Sequence, residues 1–263
     1  MLYMKKMVDN TLYETLLKVI LTMTAALVMC ILLVKRFVYF RPSSHFMSTK
    51  ETYKTIRHNN LHGWLLEYPE STKIILLCHG NAGNISYKEQ KMIALRNMGY
   101  SVLAFDYSGY GKSTGIPSEQ TLYDDTSSMV AFLRESYSPE NIILYGESLG
   151  GPVATYAARR YSIQTLILEA PLPNMKVLIK HKYPILSYFA SFFPEFDTSA
   201  YLNGYKGKSL VMHSPTDEVI PYMTISELLQ LCTHHIQLDG SHNNPIIPWK
   251  DVQNFIESPL KPS

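Results

Sequence analysis

Along the chain, the pattern of apolar and polar positions changes character three times. Leu16 to Val34 reads LLKVILTMTAALVMCILLV, an apolar run broken only by Lys18. A hydrocarbon core takes ~20 helical residues to cross, and Lys18, near one end, can extend its stem to the headgroups. The run predicts a transmembrane anchor over 16–34, preceded by an N-terminal tail over 1–15 and followed by a polar connector over 35–50 that contains Pro42. TYKTIRHN and LHGWLLEYP then alternate apolar with polar residues around Asn59 and Asn60, which reads as an antiparallel hairpin. From Lys73 onward the apolar residues come in short continuous runs, KIILLC, SVLAFDY, NIILYG, TLILEA and SLVMHS, as in strands buried on both faces. Between them, 87–97, 119–137 and 152–161 carry apolar residues at helical spacing, with Ser118 placed as an N-cap. Strand and helix alternate, so the expected fold class is α/β: a mostly parallel, doubly wound sheet with helices on both faces and the hairpin at one edge. The rhythm breaks over 171–201, rich in Pro, Phe and Tyr, where a short lid is expected.

Length and composition narrow the picture only a little. At 263 residues the chain fits the tail, anchor and connector plus one domain, expected over 51–263. A net charge of +2 singles out no acidic partner, and nucleic acid is not expected. Cys30, Cys78 and Cys232 form no CxxC pair and no even-numbered framework, so neither a zinc site nor a disulfide scaffold is implied, and Cys78 and Cys232 are expected to fill core space. A cleaved signal peptide competes with the anchor. The apolar stretch is longer than a usual signal core, and no A-x-A-like site follows it. Localisation is therefore expected to be single-pass membrane. Lys35, Arg36 and Arg41 after the span against Lys5 and Lys6 before it lean towards a cytosolic domain, and a lumenal one stays open.

Chemistry enters at Gly146-Glu147-Ser148-Leu149-Gly150, a G-x-S-x-G set between strand-like NIILY and helix-like PVATYAARRY. That context predicts a sharp strand-to-helix turn with the serine hydroxyl lifted above the sheet. A serine hydroxyl is a poor nucleophile at neutral pH and needs a base, itself oriented by an acid. His242, beyond HHIQLDG, and Asp217, beyond SLVMHS, lie past the carboxyl ends of strands on the same edge. His213 and His235 fall within strands instead. Asp239 is too close to His242 in sequence to orient it, and Glu218 is expected to point along another side of its loop. The expected catalytic set is Ser148, Asp217 and His242. For the oxyanion, the backbone N–H of Leu149 follows the nucleophile, and that of Asn81 belongs to the small-residue loop His79-Gly80-Asn81-Ala82-Gly83-Asn84.

Taken with HGNAGN (79–84), FDYSGYGKSTGIPSE (105–119), SPENIILYGESLG (138–150), FPEFD (193–197), TDEVI (216–220) and GSHNN (240–244), the chain resembles the membrane-associated α/β-hydrolase-domain serine hydrolases, especially the protein-depalmitoylase branch. The resemblance assigns Ser148, Asp217 and His242 to a triad and Asn81 and Leu149 to the oxyanion hole. It departs from the depalmitoylases at the N-terminus, where a hydrophobic span with only Cys30 replaces a lipidated cysteine-rich segment, and at Gly151, where a threonine-like residue is commoner.

The expected activity is hydrolysis of a carboxylic ester or thioester through an acyl-enzyme, with no cofactor and no metal. A tethered site beside an aromatic-rich lid favours long acyl groups on a lipid or a lipidated protein. Two alternatives remain: a serine peptidase on the same residues, and a non-catalytic membrane scaffold that keeps the hydrolase fold.

Overall fold

The computed structural model describes residues 2–38, 45–47 and 52–260. The chain divides into two units, an N-terminal helix and a domain that holds the sheet. Helix α1 (Leu2–Val38) is continuous, so the expected tail is helical from Leu2 and the helix runs past 16–34 at both ends. Most of the expected connector lies outside the described residues. Within α1 the stretch Leu12–Cys30 is long and apolar enough to cross a membrane, with Val19, Ile20 and Met23 all exposed. Within it, the hydroxyls of Thr22 and Thr24 donate to the carbonyls of Lys18 and Ile20 at 2.8 and 2.9 Å, so neither needs a partner outside the helix.

The domain opens with β1 (Lys54–His58) and β2 (Leu61–Leu66), paired antiparallel about Asn59 and Asn60. Asn59 takes the positive φ of 53° that a two-residue hairpin turn demands, a conformation asparagine tolerates better than most residues. Then follow β3 (Ile74–Cys78), α2 (Glu89–Asn97), β4 (Ser101–Asp106), α3 (Glu119–Leu133), β5 (Ile142–Glu147), α4 (Gly150–Arg160) and β6 (Thr165–Glu169). The chain continues through α5 (Met175–Lys182), a 3₁₀ segment over Pro184–Phe192, α6 (Thr198–Leu202), β7 (Lys208–His213), α7 (Ser226–Leu231), β8 (His234–Gln237), the short pair β9 (Asp239–Ser241) and β10 (Asn244–Ile246), and α8 (Trp249–Glu257). Helices α7 and α8 and the β9–β10 pair carry no expectation from the sequence pattern.

The sheet order is β1-β2-β4-β3-β5-β6-β7-β8, parallel from β4 onward. From β3 the chain moves to β4 on one side and later to β5 on the other, which opens a crevice between the carboxyl ends of β3 and β5. Every residue of β3, β4 and β7 is buried, which explains why these strands read as continuous apolar runs. One face of the sheet packs Ile75, Leu77, Val102, Ile143, Ile167 and Leu210 with Met92 and Leu95 of α2 and Val252 and Phe255 of α8. On the other side α4 packs over β3, β5 and β6 and contacts α3.

Local chemistry sets the helix ends. The Ser118 hydroxyl accepts from the N–H of Thr121 while the Thr121 hydroxyl accepts from the N–H of Ser118, a reciprocal cap. Helix α3 stops at Leu133, short of the expected 137, and α4 begins two residues before Pro152, which sits in the first turn where its missing N–H costs nothing.

Candidate active site

Ser148 stands on the turn between β5 and α4 with φ at +52°, a left-handed conformation that costs a non-glycine residue roughly 1–2 kcal/mol. Three hydrogen bonds hold it there. Its N–H donates to the carbonyl of Glu169 at 2.9 Å, and its own carbonyl accepts from Gly151 at 2.9 Å and Leu172 at 3.0 Å. The glycines of the motif are needed for close approach: a Cβ on Gly150 would lie 1.9 Å from the carbonyl oxygen of Cys78, and one on Gly146 would lie 2.5 Å from that of Gly150.

His242 follows β9, and its ring bridges Ser148 and Asp217. Its Nδ1 lies 2.7 Å from Asp217 Oδ2 and its Nε2 3.2 Å from Ser148 Oγ. A carboxylate only accepts, so Nδ1 carries the proton and Nε2 presents its lone pair to the serine hydroxyl. Burial works against the charge of Asp217. The hydrogen bonds from His242 and from the Ile220 N–H, with the nearby His242 and His213 rings, outweigh it and hold the carboxyl below the usual range. Asp217 Oδ1 accepts from Val219 and Ile220 at 2.8 and 2.7 Å, which fixes the loop that delivers it.

Glu218 departs from the expectation that it points elsewhere. Its Oε2 accepts from the backbone N–H of His242 at 3.2 Å, so it touches the histidine through the main chain. Asp239 lies in β9 and His235 in β8, while His213 ends β7 and donates from Nε2 to the carbonyl of Ile220 at 2.8 Å.

The loop after β3 comes up beside the serine turn: a Cβ on Gly80 would lie 3.3 Å from Ser148 Cβ. Buried His79 donates from Nδ1 to the carbonyl of Gly80 at 2.7 Å, and Tyr110 donates to Asn81 Oδ1 at 2.8 Å. This places Asn81 and Leu149 on two adjacent loops at the crevice, Leu149 directly after the serine. The motif over 105–119 braces the same loops. Asp106 Oδ1 accepts from the Ile85 N–H at 3.0 Å, Asp106 Oδ2 accepts from Lys112 N–H at 3.2 Å and sits 3.1 Å from His62 Nδ1, and Asp125 accepts from the Ser108 N–H at 2.6 Å.

Segment 171–201 starts at the serine turn through Leu172 and reaches the loop that carries Asp217 through Lys182, whose Nζ donates to the carbonyl of Glu218 at 2.9 Å. Glu119 pins its far end by accepting from the N–H groups of Glu195 and Phe196 at 2.8 and 2.7 Å. Its outer surface exposes Val177, Tyr183, Ile185, Tyr188 and Phe192. On the other side, a cleft of about 500 Å³ borders His242, lined among others by Tyr87, Lys91, Asn243 and Trp249. Among the described residues no group of three or more His, Cys, Asp or Glu is placed to hold a metal ion.

A family model described as the alpha/beta hydrolase fold matches residues 73–199. An uncharacterised membrane protein of Saccharomyces cerevisiae is 30% identical over 223 residues, covering 79% of this chain and 78% of that protein. The chain belongs to the α/β hydrolase fold family. This α/β hydrolase is also 30% identical to a lysophosphatidylserine lipase of Danio rerio, over 72% of its own length and 54% of the lipase. Among solved structures, an esterase of Pyrococcus furiosus superposes with a TM-score of 0.66 at 20% identity, over 82% of this α/β hydrolase and 96% of the esterase, a likeness of fold. The resemblance to membrane-associated α/β hydrolases and the doubly wound fold class expected from the sequence both hold.

Proposed function

We propose that this hydrolase is a membrane-anchored serine hydrolase that cleaves long-chain carboxylic esters or thioesters through an acyl-enzyme on Ser148. The observation that carries the reading is the relay of contacts from Asp217 through the His242 ring to the Ser148 hydroxyl. As Ser148 Oγ attacks the acyl carbonyl, His242 Nε2 takes its proton. The Asp217 carboxylate, accepting from Nδ1–H, stabilises the imidazolium. The tetrahedral oxyanion is met by the N–H groups of Leu149 and Asn81. Its collapse breaks the carbonyl bond to the leaving oxygen or sulfur, which collects the proton from His242. Water then attacks the acyl-serine with His242 again as base, releasing the acid and restoring the hydroxyl.

A long acyl chain is favoured by three features: the Leu12–Cys30 helix as a membrane tether, the exposed apolar side chains of 171–201 acting as a lid over the domain that runs from about residue 51, and the lysophospholipid named for the Danio rerio relative. A palmitoyl thioester on a protein is the alternative substrate of the same chemistry. The test is hydrolysis of nitrophenyl esters of increasing chain length and of a palmitoyl thioester by the full chain in detergent. Wild-type turnover absent from Ser148→Ala, and greater on long chains, supports the reading. Equal turnover in the variant defeats it.

A further inference from the structure

Beneath the serine turn, in the wall of the cleft that borders His242, lies a group of charges that this chemistry does not use, Glu169 buried and Glu147, Lys88 and Lys91 partly so. Strands β5 and β6 run parallel with Glu147 opposite Glu169, so two carboxylates stand side by side at the strand ends. Like charges facing each other across a sheet repel, and more strongly away from water. Lys91 of α2 answers both, its Nζ lying 2.5 Å from Glu147 Oε2 and 2.5 Å from Glu169 Oε2. Lys88 takes the other oxygen of Glu147, and the Tyr145 hydroxyl donates to Glu169 Oε2. The two glutamates also flank the nucleophile. Glu147 is joined to Ser148 by its peptide bond, and the Glu169 carbonyl accepts the Ser148 N–H.

A residue at a φ of +52° keeps that conformation only where its surroundings over-determine it. We propose that Lys91 is a positioning residue for the nucleophile: its ammonium holds Glu147 and Glu169 together and thereby holds the Ser148 turn where Oγ faces His242. Lys91 touches no reacting atom in this scheme; it acts through the two strand ends. Burial disfavours its charge, yet the two carboxylates keep the ammonium protonated well above its ordinary range, and the two lysines hold the Glu147 carboxyl well below the usual one despite its burial.

The inference rests on Ser148 being the nucleophile, and the experiment separates the two. The rate of fluorophosphonate labelling is measured on the full chain in detergent for wild type, Lys91→Met, Lys91→Arg and the double variant Lys91→Met with Glu169→Gln, with melting temperatures alongside. Lys91→Met leaves Glu169 facing Glu147 without its cation and is expected to label at least about tenfold more slowly, the scale of a misplacement well under 1 Å. Lys91→Arg, and neutralising Glu169 in the Lys91→Met background, are each expected to restore the rate to within about threefold of wild type, since the charge balance returns. A merely packed lysine would not be rescued by removing a carboxylate. Wild-type labelling by Lys91→Met, or a loss that Glu169→Gln does not recover, overturns the proposal. If Lys91→Met does not fold, the double variant decides: folded and fast supports it, folded and slow or still unfolded contradicts it. A wild type that does not label at all would instead strike the serine-hydrolase reading on which this one stands.

Discussion

The Glu218 carboxylate accepts a hydrogen bond from the backbone N–H of His242, Oε2 to N at 3.2 Å. Its neighbour Asp217 takes the ring of the same histidine at 2.7 Å. Consecutive carboxylates thus hold His242, the proposed base, at two points, one setting its tautomer and the other its loop. The chemistry needs the first far more than the second. Asp217→Asn is expected to lower kcat by about 10³- to 10⁴-fold with the fold retained, because an amide can favour the wrong ring tautomer. Glu218→Gln still accepts from the main chain and should lose less than about tenfold, one modest hydrogen bond's worth. Steady-state kinetics with melting curves on both variants checks the split; a larger loss in Glu218→Gln would reverse the assignment of the acid.

Gly150 is placed by the carbonyl of Cys78, 1.9 Å from where its Cβ would stand. Since the obstacle is backbone of the central strand β3, it cannot swing aside as a side chain would. Gly150→Ala should destabilise the domain by roughly 1–3 kcal/mol or more, as overpacking does in a dense interior. Urea denaturation reports it as a lower midpoint, and a midpoint equal to wild type would show that the elbow is looser than drawn.

Two buried histidines outside the relay give the fold an acid limit. Burial pushes His79 down from its ordinary 6.5, against the attraction of Asp106, and pushes His213 down against its bond to Ile220 and the charge of Asp217. The unfolded chain takes up these protons as pH falls below about 6.5, before the folded chain does. Their contribution is therefore complete above that pH and is lost as pH falls through the depressed folded values, by at most about 1.4 kcal/mol per pH unit for each ring. His79→Phe gives up the bond to Gly80 and should melt lower at pH 7.5, yet its decline between pH 7.5 and 5.5 should be shallower. Melting temperatures across that range decide, and parallel curves for the two proteins would remove His79 from the account.

Ile185 and Tyr188 are 79% and 87% exposed on segment 171–201. If that surface receives acyl chains, replacing both by Ser should cut kcat/KM on a palmitoyl substrate by roughly tenfold, the worth of about two buried methylenes, and leave an acetyl ester unchanged. Equal losses on short and long chains would point to a damaged site rather than a lost acyl contact.

Much of this was legible in the sequence because the central strands are buried on both faces and therefore read as unbroken apolar runs. The hairpin announced itself through Asn59 and Asn60, and the α3 cap through Ser118. The serine motif was readable because glycine is required at 146 and 150 by backbone crowding. The rest was hidden for physical reasons. The β9–β10 pair is three residues a side and α7 only six, too little for a periodicity to emerge, whereas α8 carries Val252, Phe255 and Ile256 at helical spacing on its buried face, a signal the sequence does contain. The main-chain contact of Glu218 depends on how two loops meet, and the Lys91 bridge joins residues 56 and 78 positions apart. No spacing rule reports either one. The apolar run at 16–34 was visible as composition, whereas the helix limits, Leu2–Val38, follow from polar residues that propagate a helix as readily as apolar ones.

The central claim is that Ser148 is the activated nucleophile. The most direct test is to label the full chain with a fluorophosphonate, digest it and find the modified peptide by mass spectrometry. The account predicts a single adduct on Ser148, absent in Ser148→Ala and strongly slowed in His242→Ala. A folded wild type that takes no label, or takes it on another serine, would contradict it.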